Sequence, residues 1–117
     1  MMLDAIRDYC LALKGVTEHT PFDDRTLVLK VMDKMFCITD LIDTTSITVK
    51  CDPERAVALR EQYSQVREGY HTHKKLWNTV AVDEGLSFDF IKEQIAHSYT
   101  EVVKKLPKKT QLALELL

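Results

Sequence analysis

Residues 26–51, TLVLKVMDKMFCITDLIDTTSITVKC, decide the fold. Apolar and polar residues alternate through three short β-prone runs separated by turn formers. In Thr26–Val31 the inward set is Leu27, Leu29 and Val31; in Met35–Leu41 it is Phe36 and Ile38; in Thr45–Cys51 it is Ile47, Val49 and Cys51. Keeping these residues on one face fixes the pairing, because a slip of one residue turns every side chain over. Val31 then faces Phe36 and Leu29 faces Ile38, with a tight turn at Met32-Asp33-Lys34. Ile38 faces Ile47 and Phe36 faces Val49, with a short loop at Leu41–Thr44. Short connections make an antiparallel meander with one buried face the economical arrangement. This register predicts Cys37 on the outer face and Cys51 on the inner one, a geometry that forbids a disulfide between them.

Before the meander, Met2, Leu3, Ile6, Tyr9, Cys10 and Leu13 recur with the period of a helix that has one apolar face. Gly15 supplies a left-handed stop, with Val16 folding back on Leu11. Thr17–Asp24 contains Pro21 and reads as an extended connection with room for a short edge strand. After the meander, Asp52-Pro53 joins an N-cap to a proline at the first helical position. The helix it starts runs to about Ser64 and buries Ala56, Leu59 and Tyr63. A loop through Arg67 and Gly69 follows. Leu76–Val82 then alternates as a further strand, with Leu76, Asn78, Val80 and Val82 on one side and Trp77, Thr79 and Ala81 on the other. Ser87 is an N-cap flanked by the staple pair Leu86 and Ile91. The helix it opens buries Phe88, Ile91, Ile95, Tyr99, Val102 and Leu106 and stops at Pro107. Thr110–Leu117 predicts a short terminal helix. The sum is one α+β domain over residues 1–117, a two-layer sandwich. An antiparallel sheet of four to five strands carries helices on one face.

Composition narrows the function classes. The chain has 117 residues, 45% hydrophobic and 29% charged, as in an ordinary globular domain. No apolar run approaches a membrane span and no signal segment opens the sequence, so the expectation is a cytoplasmic protein that does not enter membranes. Three cysteines without a C-x-x-C pair fit reduced thiols. Net charge is −2, from 16 basic and 18 acidic residues, which is not the basic balance of a dedicated nucleic-acid binder. The charge is uneven: residues 1–49 hold five basic and eight acidic side chains, and residues 50–117 hold eleven and ten. An anionic partner would meet the second part.

The unusual chemistry gathers in Gly69-Tyr70-His71-Thr72-His73-Lys74-Lys75-Leu76-Trp77-Asn78-Thr79-Val80, which holds the only Trp and two of the four His. This stretch resembles the central motif of the MmcQ/YjbR family of small bacterial proteins. Other pieces in the same order are similar to that family: Cys10–Leu13 with Gly15–Glu18 and Pro21-Phe22, Lys30-Val31 with Lys34–Phe36, Lys50–Glu54 with Leu59–Glu61, and Ser98-Tyr99 with Val102-Val103 and Leu106-Pro107. The likeness runs from Cys10 to about Lys108. It departs from the family pattern at Lys14, Asp23 and Glu68, and within the central motif at His73 and Leu76. What the resemblance implies is a "double wing" fold, two hairpin-like wings on a helical base, and DNA binding.

On the residues themselves, Lys74 and Lys75 beside Tyr70, His71, His73 and Trp77 would place phosphate-neutralising charge next to stacking surface. Lys104, Lys105, Lys108 and Lys109 form a second cluster that could share their face. The competing account makes these lysines solvated and Trp77 a packing residue, with Glu68, Glu84 and Glu101 diluting both clusters. A metal site at His71-x-His73 lacks a third ligand, and no metal or cofactor is expected. Cys37 is the outward thiol, but no signature gives it a base, and the expectation is a non-enzymatic protein. The runner-up is association, as a homodimer or with another protein. It would use an outer sheet face bearing Val28, Met35, Cys37, Thr39, Lys30, Lys50, Thr48 and Trp77. That surface would be lost if Leu112, Leu114 and Leu117 folded over it.

Overall fold

The computed structural model describes residues 2–117. Its helices are α1 (Met2–Leu11), α2 (Pro53–Gln62), α3 (Phe88–Val103) and α4 (Lys108–Glu115). Its strands are β1 (Val16–His19), β2 (Thr26–Val31), β3 (Lys34–Asp40), β4 (Ser46–Lys50), β5 (Val66–Glu68) and β6 (Trp77–Ala81). The six strands form one antiparallel sheet in the order β1-β2-β3-β4-β6-β5, an open α+β sheet with helices on one face. One strand exceeds the expected four to five: β1 is the short edge strand for which the extended connection left room, and β5 lies where a loop was expected.

The helices start where their caps predict. Asp52 accepts a hydrogen bond from the Arg55 N–H, with Pro53 in the first turn. Ser87 accepts from the Phe90 N–H. Ile6, Cys10, Ile91 and Ile95 pack onto Leu27, Leu29, Val31, Phe36, Ile47, Val49 and Val80 of the sheet, all buried. Leu114 of α4 joins this core next to Gly15, whose φ of +77° and lack of a side chain admit the leucine. The Lys14 ammonium donates to the Glu115 carbonyl at 2.8 Å. The terminal helix therefore docks on the corner between α1 and β1.

One register expectation fails, with consequences. Lys30 pairs with Met35 but Leu29 pairs with Cys37, so Phe36 is an extra residue in β3. Such a bulge turns two successive residues to one side. Phe36 and Cys37 both enter the core, each 0% exposed. Cys37, expected outside, instead faces Val49; Thr39, also expected outside, pairs with Ile47 on the inner face; Ile38, expected inside, faces Thr48 on the outer one. The hairpin closes through Met32 and Asp33, whose φ values of +48° and +69° belong to a two-residue primed turn. All three cysteines are buried free thiols.

The ladder between β3 and β4 ends at Cys37–Val49, and α3 takes over beyond it. The Ser98 hydroxyl, wholly buried, donates to the Phe36 carbonyl at 2.5 Å and accepts from the Lys50 N–H at 2.8 Å. Two backbone groups that the ladder leaves over are thereby satisfied by one side chain. Met35 and Lys50 face outward as a result.

Candidate nucleic-acid interface

With the parity of β3 set by the bulge, a row of the outer face reads Thr17, Lys30, Met35 across β1, β2 and β3 and, past the end of the β3–β4 ladder, Lys50 and Trp77 across β4 and β6. Lys30 and Lys50 stand two strands apart, about 10 Å by the usual spacing. At the end of the row Trp77 and Met35 line a hollow of about 190 Å³ together with Lys34, Lys50, Lys105 and Leu106. Among the described residues, Lys30, Lys34, Lys50 and Lys105 make no ion pair. Charge left unpaired beside a half-buried indole is available to an anion.

Next to this row the outer face forms a trough of about 470 Å³. Its floor is Met35, Ile38, Thr26 and Thr48; Phe22 stands at one wall and Tyr70, His71 and Thr72 at the other. Phe22 is 66% and Tyr70 71% exposed, so two aromatic rings project into solvent above an apolar floor. Beyond the trough the charge reverses. Arg25 donates to Asp40 at 2.8 Å and to Asp43 at 3.3 Å, and this pairing holds the Asp40 carboxyl at a pKa of about 2.

The loop of the central motif is built tightly. Gly69 is buried, and a side chain there would run into Thr72 Oγ1 and the Trp77 Cβ. The Tyr70 N–H donates to Thr79 Oγ1 at 3.0 Å, and Thr79 shares a hydrogen bond of 2.9 Å with Thr48. His71 adopts φ +56°, unusual for a residue with a side chain, and its ring lies 4.0 Å from that of Tyr70. Thr72 Oγ1 is the one buried side-chain polar atom without a partner among the described residues. From the helix side, Arg60 donates to Asn78 Oδ1 at 2.7 Å and to the Lys74 carbonyl at 3.5 Å, tying the loop to α2.

The residues singled out in the sequence separate into two groups. Tyr70 and His71 line the trough, and Trp77 and Lys105 share the hollow. Lys74 is engaged elsewhere: its ammonium donates to the Gly69 carbonyl. Lys75 and His73 are exposed, and the Lys75 N–H donates to His73 Nδ1 at 3.3 Å. Lys104 is paired with Glu101 at 2.5 Å, a hydrogen bond that raises its pKa. Lys108 and Lys109 sit exposed in the first turn of α4 and line neither depression. Lys34 was missed, and Lys30 and Lys50 were placed on the outer face with Trp77 but assigned to association and not to binding an anion. Outward alternation in β2 and β4 was the available signal; the hollow itself depends on the bulge and on where α3 ends.

These features define an open-faced α+β sandwich whose uncovered sheet carries a cationic row and an aromatic-walled trough. The chain belongs to the YjbR family, whose model matches residues 11–101. It is 30% identical to the uncharacterised protein YjbR of Escherichia coli K12 over 118 residues, covering 99% of this chain and all of that one. It is likewise 30% identical over 92 residues to the uncharacterised YbdF of Escherichia coli O157:H7, covering 78% and 75% of the two chains. Among solved structures, the Deinococcus radiodurans protein DR2400, of domain DUF419, superposes with a TM-score of 0.90 at 34% identity, over 97% of this chain and 87% of that one. A Pseudomonas syringae protein shares the fold, with a TM-score of 0.73 at 20% identity over 86% and 98%.

Proposed function

We propose that this chain is a non-enzymatic nucleic-acid-binding protein that holds phosphates along the cationic row of its open sheet face. The observation that carries this reading is the set of unpaired lysines at 30, 34, 50 and 105 around Met35 and Trp77. Ammonium groups from three strands and a helix end, gathered around one end of the sheet, suit a polyanion better than a single small anion. A net charge of −2 keeps such binding weak and strongly dependent on salt. Lys75 is exposed and free to add charge, whereas Lys74 and Lys104 contribute little because each is already engaged. The test is fluorescence anisotropy of a labelled oligonucleotide over a salt series. Lys50→Ala with Lys105→Ala should reduce the slope of log K against log salt by roughly 1.4–1.8, two phosphate contacts' worth. No anisotropy change at ~10⁻⁵ M protein in low salt would refute the reading, since non-specific affinities fall in that range.

A second reading, a homodimer through the same face, draws on its opposite ends. Lysines at one end and Asp40 and Asp43 at the other would meet each other across a two-fold axis. Sedimentation velocity over a concentration series decides it by the appearance or absence of a dimer.

A further inference from the structure

We infer that the polynucleotide is single-stranded, with phosphates on the lysine row and bases laid into the trough between Phe22 and the Tyr70–His71 pair. The inference rests on the reading above and adds the form of nucleic acid. Three observations lead to it. The trough, about 470 Å³, falls in the range of roughly 300–1,000 Å³ that encloses planar ligands. Its walls are aromatic rings with their surfaces in solvent, Tyr70 being 71% and Phe22 66% exposed. The floor is Met35 and Ile38 flanked by Thr26 and Thr48, whose hydroxyls are already bonded to Asp23 and Thr79, so it offers a base apolar contact and no reading of its edges.

Ring faces are useful only to bases that have left the stack. Within a duplex each base covers its neighbours, and a protein reads the edges by pushing a helix or ribbon into a groove. Here the lysines stand at the end of a recess flanked by two loops, and the helices lie on the opposite sheet face. A single strand can set its backbone along one rim and turn its bases inward over an aromatic platform. The charge pattern gives the strand its side. The far rim carries Asp40 and Asp43 around a single Arg25, a net negative charge, so the phosphates run along the lysine end. The His71 backbone, held at φ +56° with its ring against Tyr70, braces the wall that the base would meet.

The experiment compares a labelled 12-mer single strand, the matched duplex, and the same single strand carrying abasic sites, at one salt concentration. The single strand should bind at least tenfold more tightly than the duplex, and the abasic strand should lose most of that advantage. Tyr70→Ala should weaken the single strand about tenfold without changing the salt slope, and Tyr70→Phe should bind as the parent does. Phe22→Ala supplies an independent exposed variant, and circular dichroism verifies that both fold. Equal affinity for duplex and single strand, or equal weakening of both by Tyr70→Ala, would overturn the inference while leaving phosphate binding intact. A stable dimer that blocks the trough would overturn it too. Absence of binding to all three oligonucleotides would remove the reading beneath it as well.

Discussion

Gly69 shows how one missing side chain sets a surface. Its Cβ position is filled by Thr72 Oγ1 and the Trp77 Cβ, with the Trp77 carbonyl at 3.0 Å. A backbone carbonyl cannot step aside as a flexible side chain can. Gly69→Ala is therefore expected to cost about 1–3 kcal/mol, the usual price of overpacking, and to push the loop carrying Tyr70 and His71 outward. Thermal denaturation measures the first effect. The second should appear as a changed Trp77 emission spectrum, since the Trp77 Cβ and carbonyl lie against the same glycine. An unchanged melting temperature and spectrum would show that the loop has room. The lysines illustrate a related point. Lys74 and Lys75 are adjacent in sequence and chemically alike, yet one is spent on the Gly69 carbonyl and the other is exposed. Nothing in a dipeptide of lysines says which ammonium the loop will consume.

Among the elements, α3 does more than cover the sheet. Ser98 satisfies the Phe36 carbonyl and the Lys50 N–H at the bulge. Ser98→Ala leaves both buried groups without a partner and is expected to destabilise the fold by about 2 kcal/mol, read from chemical denaturation. Loss under 0.5 kcal/mol would mean that water or a small shift restores the pairing. One residue earlier, His97 Nε2 accepts the Asp52 N–H at 3.2 Å, which requires the neutral ring. Burial, aided by the cation of Arg55, lowers its pKa below the ordinary 6.5, against the opposing pull of Glu101 and Asp52. The unfolded chain then binds the proton more readily than the folded one. Stability from this site is complete above pH 6.5 and declines as pH falls below it. Melting temperature should drop between pH 8 and pH 5, and His97→Gln, which keeps an acceptor without titrating, should flatten that part of the curve. A parallel drop in the variant would assign the loss to other groups.

The same elements mark how far the sequence could be read. Asp52-Pro53 and Ser87 with its staple located α2 and α3 because caps are local chemistry. The bulge was not legible. Phe36, Cys37 and Ile38 are all apolar, so alternation gives no sign of which two share a face, and the answer depends on a serine sixty residues away. β5 was hidden for another reason: of its three residues only Val66 is apolar, and it exists because β6 offers it an edge. Tyr70, His71, Trp77 and Lys105 were all picked out in the sequence. What could not be seen was that Trp77 and Lys105 share a hollow with Lys34 and Lys50, an outcome of strand ends and a helix end meeting.

For the molecule as a whole, the thiols and the charges are segregated. Cys10 and Cys37 are wholly buried and Cys51 nearly so, and Cys37 is pushed well up by its hydrogen bond with Cys10 and by burial. Desolvation likewise pushes Cys51 up to about 11. Labelling by a thiol reagent at neutral pH should therefore proceed at the rate of unfolding, and accelerate in parallel with denaturant-induced opening. Prompt labelling of any cysteine in native buffer would contradict this burial. The two sheet faces consequently differ: the inner one supplies cohesion, and the outer one is free of reactive sulfur.

The supernumerary residue in β3 ties these roles together. Remove it, and plain alternation would carry the segment before it to the opposite side, withdrawing Met35 from the recess and reordering the ammonium groups beside it. The proposed grip on an anionic strand would then disappear although every lysine remained in the sequence. An insertion or deletion in this hairpin is thus a harsher alteration than any substitution on the surface, and relatives that differ there in length should differ in what they hold.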